Sequence, residues 1–257
     1  MSYLEELLTS TRARIEETRT KITEAALEQR MAAVDRPRGF RSALVGDEIA
    51  VIAEIKRASP SKGPIGEGLD AAALARAYAD GGAAAISVLT EPDRFDGSIE
   101  DLQAAIPAGL PVLRKDFILD PFQIHEARAF GADAVLLIVR AVGAELDSLM
   151  SATTALGMDA LVEVFDEADL ERAVDVGAEL IGINHRDLET FEVDPERTAK
   201  LAPRIPEGSV IVGLSGVSTR ADVESLASDG AHAVLVGEAL VTASDPAAKL
   251  RELRGAA

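Results

Sequence analysis

The chain contains no cysteine, which excludes disulfides, thiolate metal sites and a thiol nucleophile. A chain without disulfides agrees with a reducing cytosol. Positive charge is scarce, with 26 Lys+Arg against 44 Asp+Glu and a formal charge of −18. Such a surface repels nucleic acid and anionic lipid, so neither a nucleic-acid nor a membrane partner is expected. A polyanionic small substrate is compatible with this only if the site gathers positive charge locally. Long apolar runs are missing as well: the longest, residues 134–139, is far too short to cross a bilayer. The opening Met1-Ser2-Tyr3-Leu4-Glu5-Glu6 lacks the basic and apolar regions of a signal peptide, and a cytoplasmic location is expected. No two of the three histidines have metal-ligand spacing, so no metal site is expected and His125, His185 and His232 are read as structural.

What remains is ordinary globular material. At 257 residues, 47% hydrophobic and 27% charged, the chain suits one large domain of the size a β/α barrel commonly has. Residues 1 to about 34 read as one helix, with Leu4, Leu7, Leu8, Ile15 and Ile22 recurring at near-helical spacing and Pro37 and Gly39 beyond it. From residue 49 a regular alternation begins. Apolar, β-branched runs at 49–56, 84–89, 111–115, 134–139, 160–164, 180–184, 209–214 and 233–236 read as strands. Amphipathic stretches at 71–80, 99–105, 121–130, 145–156, 167–176, 195–201, 219–228 and 246–253 read as helices. Glycines at 81–82, 131, 157, 177 and 230 stand where each helix turns into the next strand, a position that calls for left-handed backbone.

Eight strands alternating with helices require a parallel sheet. A closed barrel and an open doubly wound sheet both satisfy the count. The absence of a Gly-x-Gly-x-x-Gly turn after the first strand favours the (β/α)8 barrel. The expected organisation is a single TIM-barrel domain, with residues 1–48 as an N-terminal helical extension and 49–257 as the barrel.

A parallel strand buried on both faces should be apolar throughout, yet several of these strands end in ionisable residues. The two-residue period of a strand puts Ile52, Glu54 and Lys56 on the inner face and Val51, Ala53 and Ile55 against the helices. The third strand ends in Lys115, the fifth carries Glu163 and the sixth ends in Asn184. All are at C-terminal ends, where barrel enzymes place their active sites. Two lysines and two glutamates in one pocket shift each other's proton affinities and can supply acid and base together. Ser59, in the loop after the first strand, and the glycines Gly216 and Gly237, after the seventh and eighth, suit a phosphate: glycine lets backbone N–H groups approach an anion. Phe95 and Phe117, in loops after the second and third strands, are placed to meet an aromatic ring.

These segments resemble a known family. Glu54-Ile55-Lys56-Arg57-Ala58-Ser59-Pro60-Ser61-Lys62-Gly63 is similar to the signature of indole-3-glycerol phosphate synthases. So are Leu89-Thr90-Glu91-Pro92 through Phe95-Asp96-Gly97-Ser98, Leu113-Arg114-Lys115-Asp116-Phe117-Ile118 and Gly182-Ile183-Asn184-His185-Arg186-Asp187-Leu188. The resemblance implies a step of tryptophan biosynthesis in which 1-(2-carboxyphenylamino)-1-deoxyribulose 5-phosphate is converted to indole-3-glycerol phosphate, carbon dioxide and water. Carried onto this chain, Lys115 is the general acid of ring closure and Glu163 and Glu54 serve the later proton transfers. Lys56 offsets the substrate carboxylate and developing negative charge. Asn184, Arg186 and Ser215 position the substrate, with Phe95 and Phe117 against its anthranilate ring. Ser59, Gly216, Gly237 and the backbone of Glu238 hold the phosphate. No cofactor is implied, because the ring nitrogen can take up the electrons that decarboxylation releases.

One position departs from the pattern. After the seventh strand the family usually has Glu-Ser-Gly, whereas this chain has Leu214-Ser215-Gly216. Leu214 shares its strand face with Val210 and Val212 and is expected to point inward, with a reduced rate as the consequence. This departure also fits a phosphate-binding barrel reshaped for another reaction; a separate reading, of another class, is a barrel that binds an anionic ligand or a partner protein without turnover. An isomerase of the neighbouring tryptophan step would ordinarily use a cysteine base, which this chain lacks.

Overall fold

Eight runs of aliphatic residues form eight parallel strands that close on themselves in sequential order. The computed structural model describes residues 3–60, 62–66, 68–187 and 190–256. The strands are β1 (Ala50–Ile55), β2 (Ala85–Leu89), β3 (Val112–Lys115), β4 (Ala134–Ile138), β5 (Asp159–Val164), β6 (Leu180–Asn184), β7 (Val210–Leu214) and β8 (Ala233–Val236). β1 closes the ring by pairing with β2 on one side (Ile52↔Ala85) and β8 on the other (Ile52↔Leu235). A closed ring leaves no unpaired sheet edge. The chain is thus a (β/α)8 barrel, the architecture that the alternation of short apolar runs and amphipathic stretches implies.

The pleat sorts each strand between two cores. Ile52, Ala85, Leu113, Leu161, Val212 and Leu235 fill the interior. Val51, Ala53, Ile55, Val88, Val135 and Val234 pack outward against the surrounding helices. Those helices include Ala71–Asp80, Ile99–Ala105, Pro121–Ala129, Leu146–Ala155, Glu167–Asp175, Arg197–Leu201, Arg220–Ser228 and Pro246–Arg254. Asp70, Ser98, Asp120, Asp166, Thr219 and Asp245 each accept a backbone N–H at a helix start, satisfying donors that have no partner within the helix. At the helix-to-strand turns Gly82, Gly131, Gly157, Gly177 and Gly230 all take φ between +71° and +99°. Gly81 differs, keeping right-handed backbone at φ −79°.

The leading segment corrects one expectation. It is not a single helix: α1 (Tyr3–Lys21) stops, and α2 (Glu24–Met31) begins after Thr23. Thr23 has extended backbone and its hydroxyl accepts from Ala26 N, so a local side-chain bond competes with helix continuation and starts a new helix. A third short helix, α3 (Phe40–Ala43), follows. The extension runs from one end of the barrel to the other. Leu7 of α1 lines the cavity at the C-terminal mouth. Phe40 and Leu44, both fully buried, join the interior core from below. At that lower end Arg38 pairs with Asp133 at 2.7 Å and Arg41 N donates to Asp159 at 2.9 Å.

Candidate active site

The C-terminal ends of β1, β3, β5 and β6 bring Glu54, Lys56, Lys115, Glu163 and Asn184 to one cavity. Lys115 Nζ lies 2.5 Å from Glu54 Oε2, and Lys56 Nζ lies 2.9 Å from Oε1 of the same carboxylate. Glu54 is 2% exposed. Burial pushes its carboxyl up, but the ammonium groups of Lys115 and Lys56 outweigh this and bring it down to about 2. Glu54 is therefore ionised and holds both lysines in place.

Glu163 is in the opposite condition. It is buried, and burial raises its carboxyl above the usual range, against the Asn184 hydrogen bond and the charge of Lys115. Asn184 Nδ2 donates to Glu163 Oε1 at 3.0 Å. The Asn184 oxygen in turn accepts from Ser215 Oγ at 2.9 Å and from Arg186 N at 3.0 Å, so the amide has one possible orientation. Two carboxyl groups in one pocket thus have proton affinities pushed apart, the arrangement that separates acid from charge stabiliser.

On the side of β1 and β8, Ser59 Oγ is buried and has no hydrogen-bond partner among the described residues. Gly237 packs directly on the Glu54 carboxylate; a Cβ there would overlap Oε1 and lie 3.1 Å from Lys56 Nζ. Glu238 lines the cavity and its side chain pairs with Lys62. Ser215 and Gly216 both have left-handed backbone, φ +68° and +81°. Gly216 lines a smaller neighbouring cavity with His185 and Val193, not the main one. Ser61 and Leu188, which belong to the sequence motifs, lie outside the described residues.

Phe95 and Phe117 both line the cavity, Phe117 buried and Phe95 partly so. Three contributors escape a strand-by-strand reading: Tyr3 and Leu7 from α1, and Phe191 from the loop after β6. Tyr3 and Phe191 meet edge to face at 5.3 Å, and Arg186 NH1 donates to the carbonyl of Phe191 at 3.0 Å. The helical spacing of the leading segment includes Leu7 but not Tyr3, and nothing in it says which surface that face covers. Glu91 also lines the cavity, yet its carboxylate is occupied, accepting from the N–H groups of Asp93, Arg94 and Phe95.

Leu214 points inward, as its strand face requires, and is 1% exposed beside Leu161 and Val212. Gly182 across the ladder makes room for it: a Cβ there would lie 2.8 Å from Leu214 Cδ1. His185 points away from the cavity, with Nδ1 3.0 Å from the Leu214 carbonyl and Nε2 2.8 Å from Thr198 Oγ1. His232 accepts from Ile211 N.

Lysines and carboxylates of unlike proton affinity at the C-terminal mouth of a closed β/α barrel define the class: a barrel enzyme of acid–base chemistry. Residues 4–253 match the family model described as indole-3-glycerol phosphate synthase. The chain belongs to the indole-3-glycerol phosphate synthase family, decarboxylating lyases of tryptophan biosynthesis. It is 50% identical over 248 residues to the indole-3-glycerol phosphate synthase of Parafrankia sp. (strain EAN1pec), covering 96% of this chain and 92% of that one. It is 49% identical over 263 residues to that of Micrococcus luteus, covering 100% and 98%. Among solved structures, a 3-hexulose-6-phosphate synthase superposes with a TM-score of 0.64 at 20% identity, over 80% of this chain and 99% of the other. Thiamine phosphate pyrophosphorylase from Pyrococcus furiosus gives 0.62 at 17% identity, over 84% and 96%. At that identity the likeness is one of fold. Among the described residues no helix is long and apolar enough to cross a membrane.

Proposed function

We propose that this chain closes the indole ring of 1-(2-carboxyphenylamino)-1-deoxyribulose 5-phosphate, releasing carbon dioxide and water. The observation that carries the reading is Lys115 held 2.5 Å from an ionised Glu54, in one cavity with a second carboxyl, Glu163, that burial keeps protonated more readily. The ring carbon bearing the carboxylate attacks the ketone of the ribulose chain, and Lys115 gives its proton to the ketone oxygen. The new carbon–carbon bond leaves an iminium at the ring nitrogen, which takes up the electron pair as carbon dioxide departs. Glu163 then protonates the resulting hydroxyl, which leaves as water. The Lys115 amine recovers a proton from the adjacent methylene, and the indole is aromatic. Glu54, which the resemblance assigns a share of the proton transfers, is read instead as charged throughout, because Lys115 and Lys56 hold its carboxyl low; it fixes both lysines, while Lys56 faces the substrate carboxylate.

Binding follows the same geometry. Phe95, Phe117, Tyr3 and Phe191 form the aromatic wall for the anthranilate ring. Arg186, Asn184 and Ser215 hold the ribulose chain. The hydroxyl of Ser59, without a partner among the described residues, takes the phosphate with the backbone of Gly237 and Glu238; Gly216, which lines the neighbouring cavity, reaches it only if the loop after β7 moves. Against a formal charge of −18, Lys56, Lys115 and Arg186 supply the local positive field that an anionic substrate needs. The test is product formation from this substrate, followed by indole absorbance and fluorescence, in the wild type and in Lys115→Met. General-acid catalysis is worth about 10²–10⁴-fold, and the variant should lose that much; turnover near wild type removes Lys115 from the reaction. Leu214 favours a second reading, a barrel that binds this substrate without converting it, which predicts thermal stabilisation by the substrate and no product.

A further inference from the structure

We propose that Arg14, on the helix preceding the barrel, is a positioning residue for Lys115 and acts through Asp116. The inference rests on the reading of Lys115 as the general acid. Lys115 is the last residue of β3, beyond which the sheet no longer holds the backbone. The next residue, Asp116, also lines the cavity, and its fully buried carboxylate joins an ion-pair cluster with Arg114 and the partly exposed Arg14. Arg14 grips that carboxylate with two parallel bonds, NH1 to Oδ2 at 3.0 Å and NH2 to Oδ1 at 2.7 Å. Thr90 Oγ1 donates to Oδ2 at 2.7 Å, Arg114 NH2 approaches it at 3.3 Å, and Phe117 N donates to Oδ1 at 2.9 Å. Burial alone would raise the Asp116 carboxyl, but the guanidinium groups of Arg114 and Arg14 hold it low.

Of these donors only Arg14 comes from outside the β2–β3 region. A bidentate guanidinium fixes the plane of a carboxylate, which a single donor does not. Fixing Asp116 fixes both neighbours, since Lys115 and Phe117 leave the same backbone unit toward the cavity. The remaining bonds close the loop behind them: Gln123 Nε2 donates to the Phe117 carbonyl at 2.9 Å, and Lys115's own carbonyl accepts from Thr90 N at 3.0 Å. A second, independent observation ties α1 to the site. Tyr3 and Leu7 line the cavity, and residues 3, 7 and 14 fall within about 40° of one another around an α-helix. The face of α1 that covers the substrate pocket is the face that carries Arg14.

A displacement of about 1 Å at a reacting group can cost 10²-fold in rate, whereas uniform substrate binding would scarcely change. The experiment compares Arg14→Met, Arg14→Lys, Asp116→Asn and the double variant Arg14→Met/Asp116→Asn, all on the full chain, with Lys115→Met in parallel. Arg14→Met should lower kcat by about 10²-fold with KM changed less than about threefold, and Arg14→Lys should recover part of kcat. The double variant should be no slower than the slower single one, because both remove the same constraint. The positioning role is overturned if Arg14→Lys and Arg14→Met, folded by near-ultraviolet circular dichroism, keep wild-type kcat while Lys115→Met is inactive. It is overturned also if only KM moves, or if the two losses in kcat multiply. Full turnover by Lys115→Met overturns the general-acid reading and leaves Arg14 no reacting group to position.

Discussion

Leu214 and Glu163 show how single side chains set the character of the pocket. Leu214 is buried among aliphatic neighbours at the level of Asn184, its ladder partner. Replacing it with glutamate places a carboxylate where the family usually has one. Turnover of Leu214→Glu should rise above that of the present chain, and an unchanged or lower kcat would show that the site has adapted to leucine. The same change introduces a charge into an apolar layer, at a cost of several kcal/mol unless a partner offsets it. A fall in Tm of several degrees should accompany the gain, since about 1 kcal/mol corresponds to 2–4 °C in a domain of this size. Glu163 gives a pH signature of known sign. Its folded-state affinity for a proton is raised by burial, so its contribution to stability is present below the unfolded carboxylate value and is lost as pH rises through the folded one. Glu163→Gln keeps the shape and does not ionise. Its stability relative to wild type should therefore increase between pH 4 and pH 8, measured by urea denaturation, while turnover falls; a pH-independent difference would contradict a raised value.

At the scale of elements, the meeting of β1 and β8 is the tightest constraint on the site. Gly237, the residue after β8, packs against the Glu54 carboxylate, where a methyl group has no room. Relief of overpacking of this kind costs about 1–3 kcal/mol, and here it has to come from the Glu54–Lys56–Lys115 cluster. Gly237→Ala should lower kcat/KM by at least about tenfold, with a smaller effect on Tm than on activity. Wild-type kinetics would show that the cluster tolerates displacement. The loop after β1 is held differently, by Arg57 paired with Asp101 at 2.8 Å and by Lys62 paired with Glu238. The first pair is partly buried and anchors the loop to the helix Ile99–Ala105. The second is exposed, and pairs of that kind contribute little.

For the molecule as a whole, the leading segment spans the barrel from end to end. α1 meets the mouth through Leu7 and the flank through Arg14 on Asp116, while Phe40 of α3 and Leu44 just after it seal the base. An extension engaged with both ends of a closed sheet should not melt apart from it. Urea unfolding followed by far-ultraviolet circular dichroism and by near-ultraviolet signals should give one coincident transition. Two separated transitions would make residues 1–48 an independently unfolding unit.

The repeating unit was legible in the residues because its causes are local. Strands buried on both faces must be apolar, helices on one side must be amphipathic, and a left-handed turn between them takes glycine. The same locality placed Glu54, Lys56, Lys115, Glu163 and Asn184 on inner faces at strand ends, and set Leu214 among them. Sequence motifs carried the family as well. The break at Thr23 was missed because the apolar spacing of Leu4 through Ile22 continues up to it, while the bond that ends the helix is a single side-chain contact. Tertiary structure alone decided what lies far apart in the chain yet close in space: two lysines on one carboxylate, Tyr3 against Phe191, and Arg14 on Asp116 across 102 residues. Periodicity names the face a residue occupies, but only closure of the barrel and docking of α1 determine what that face meets.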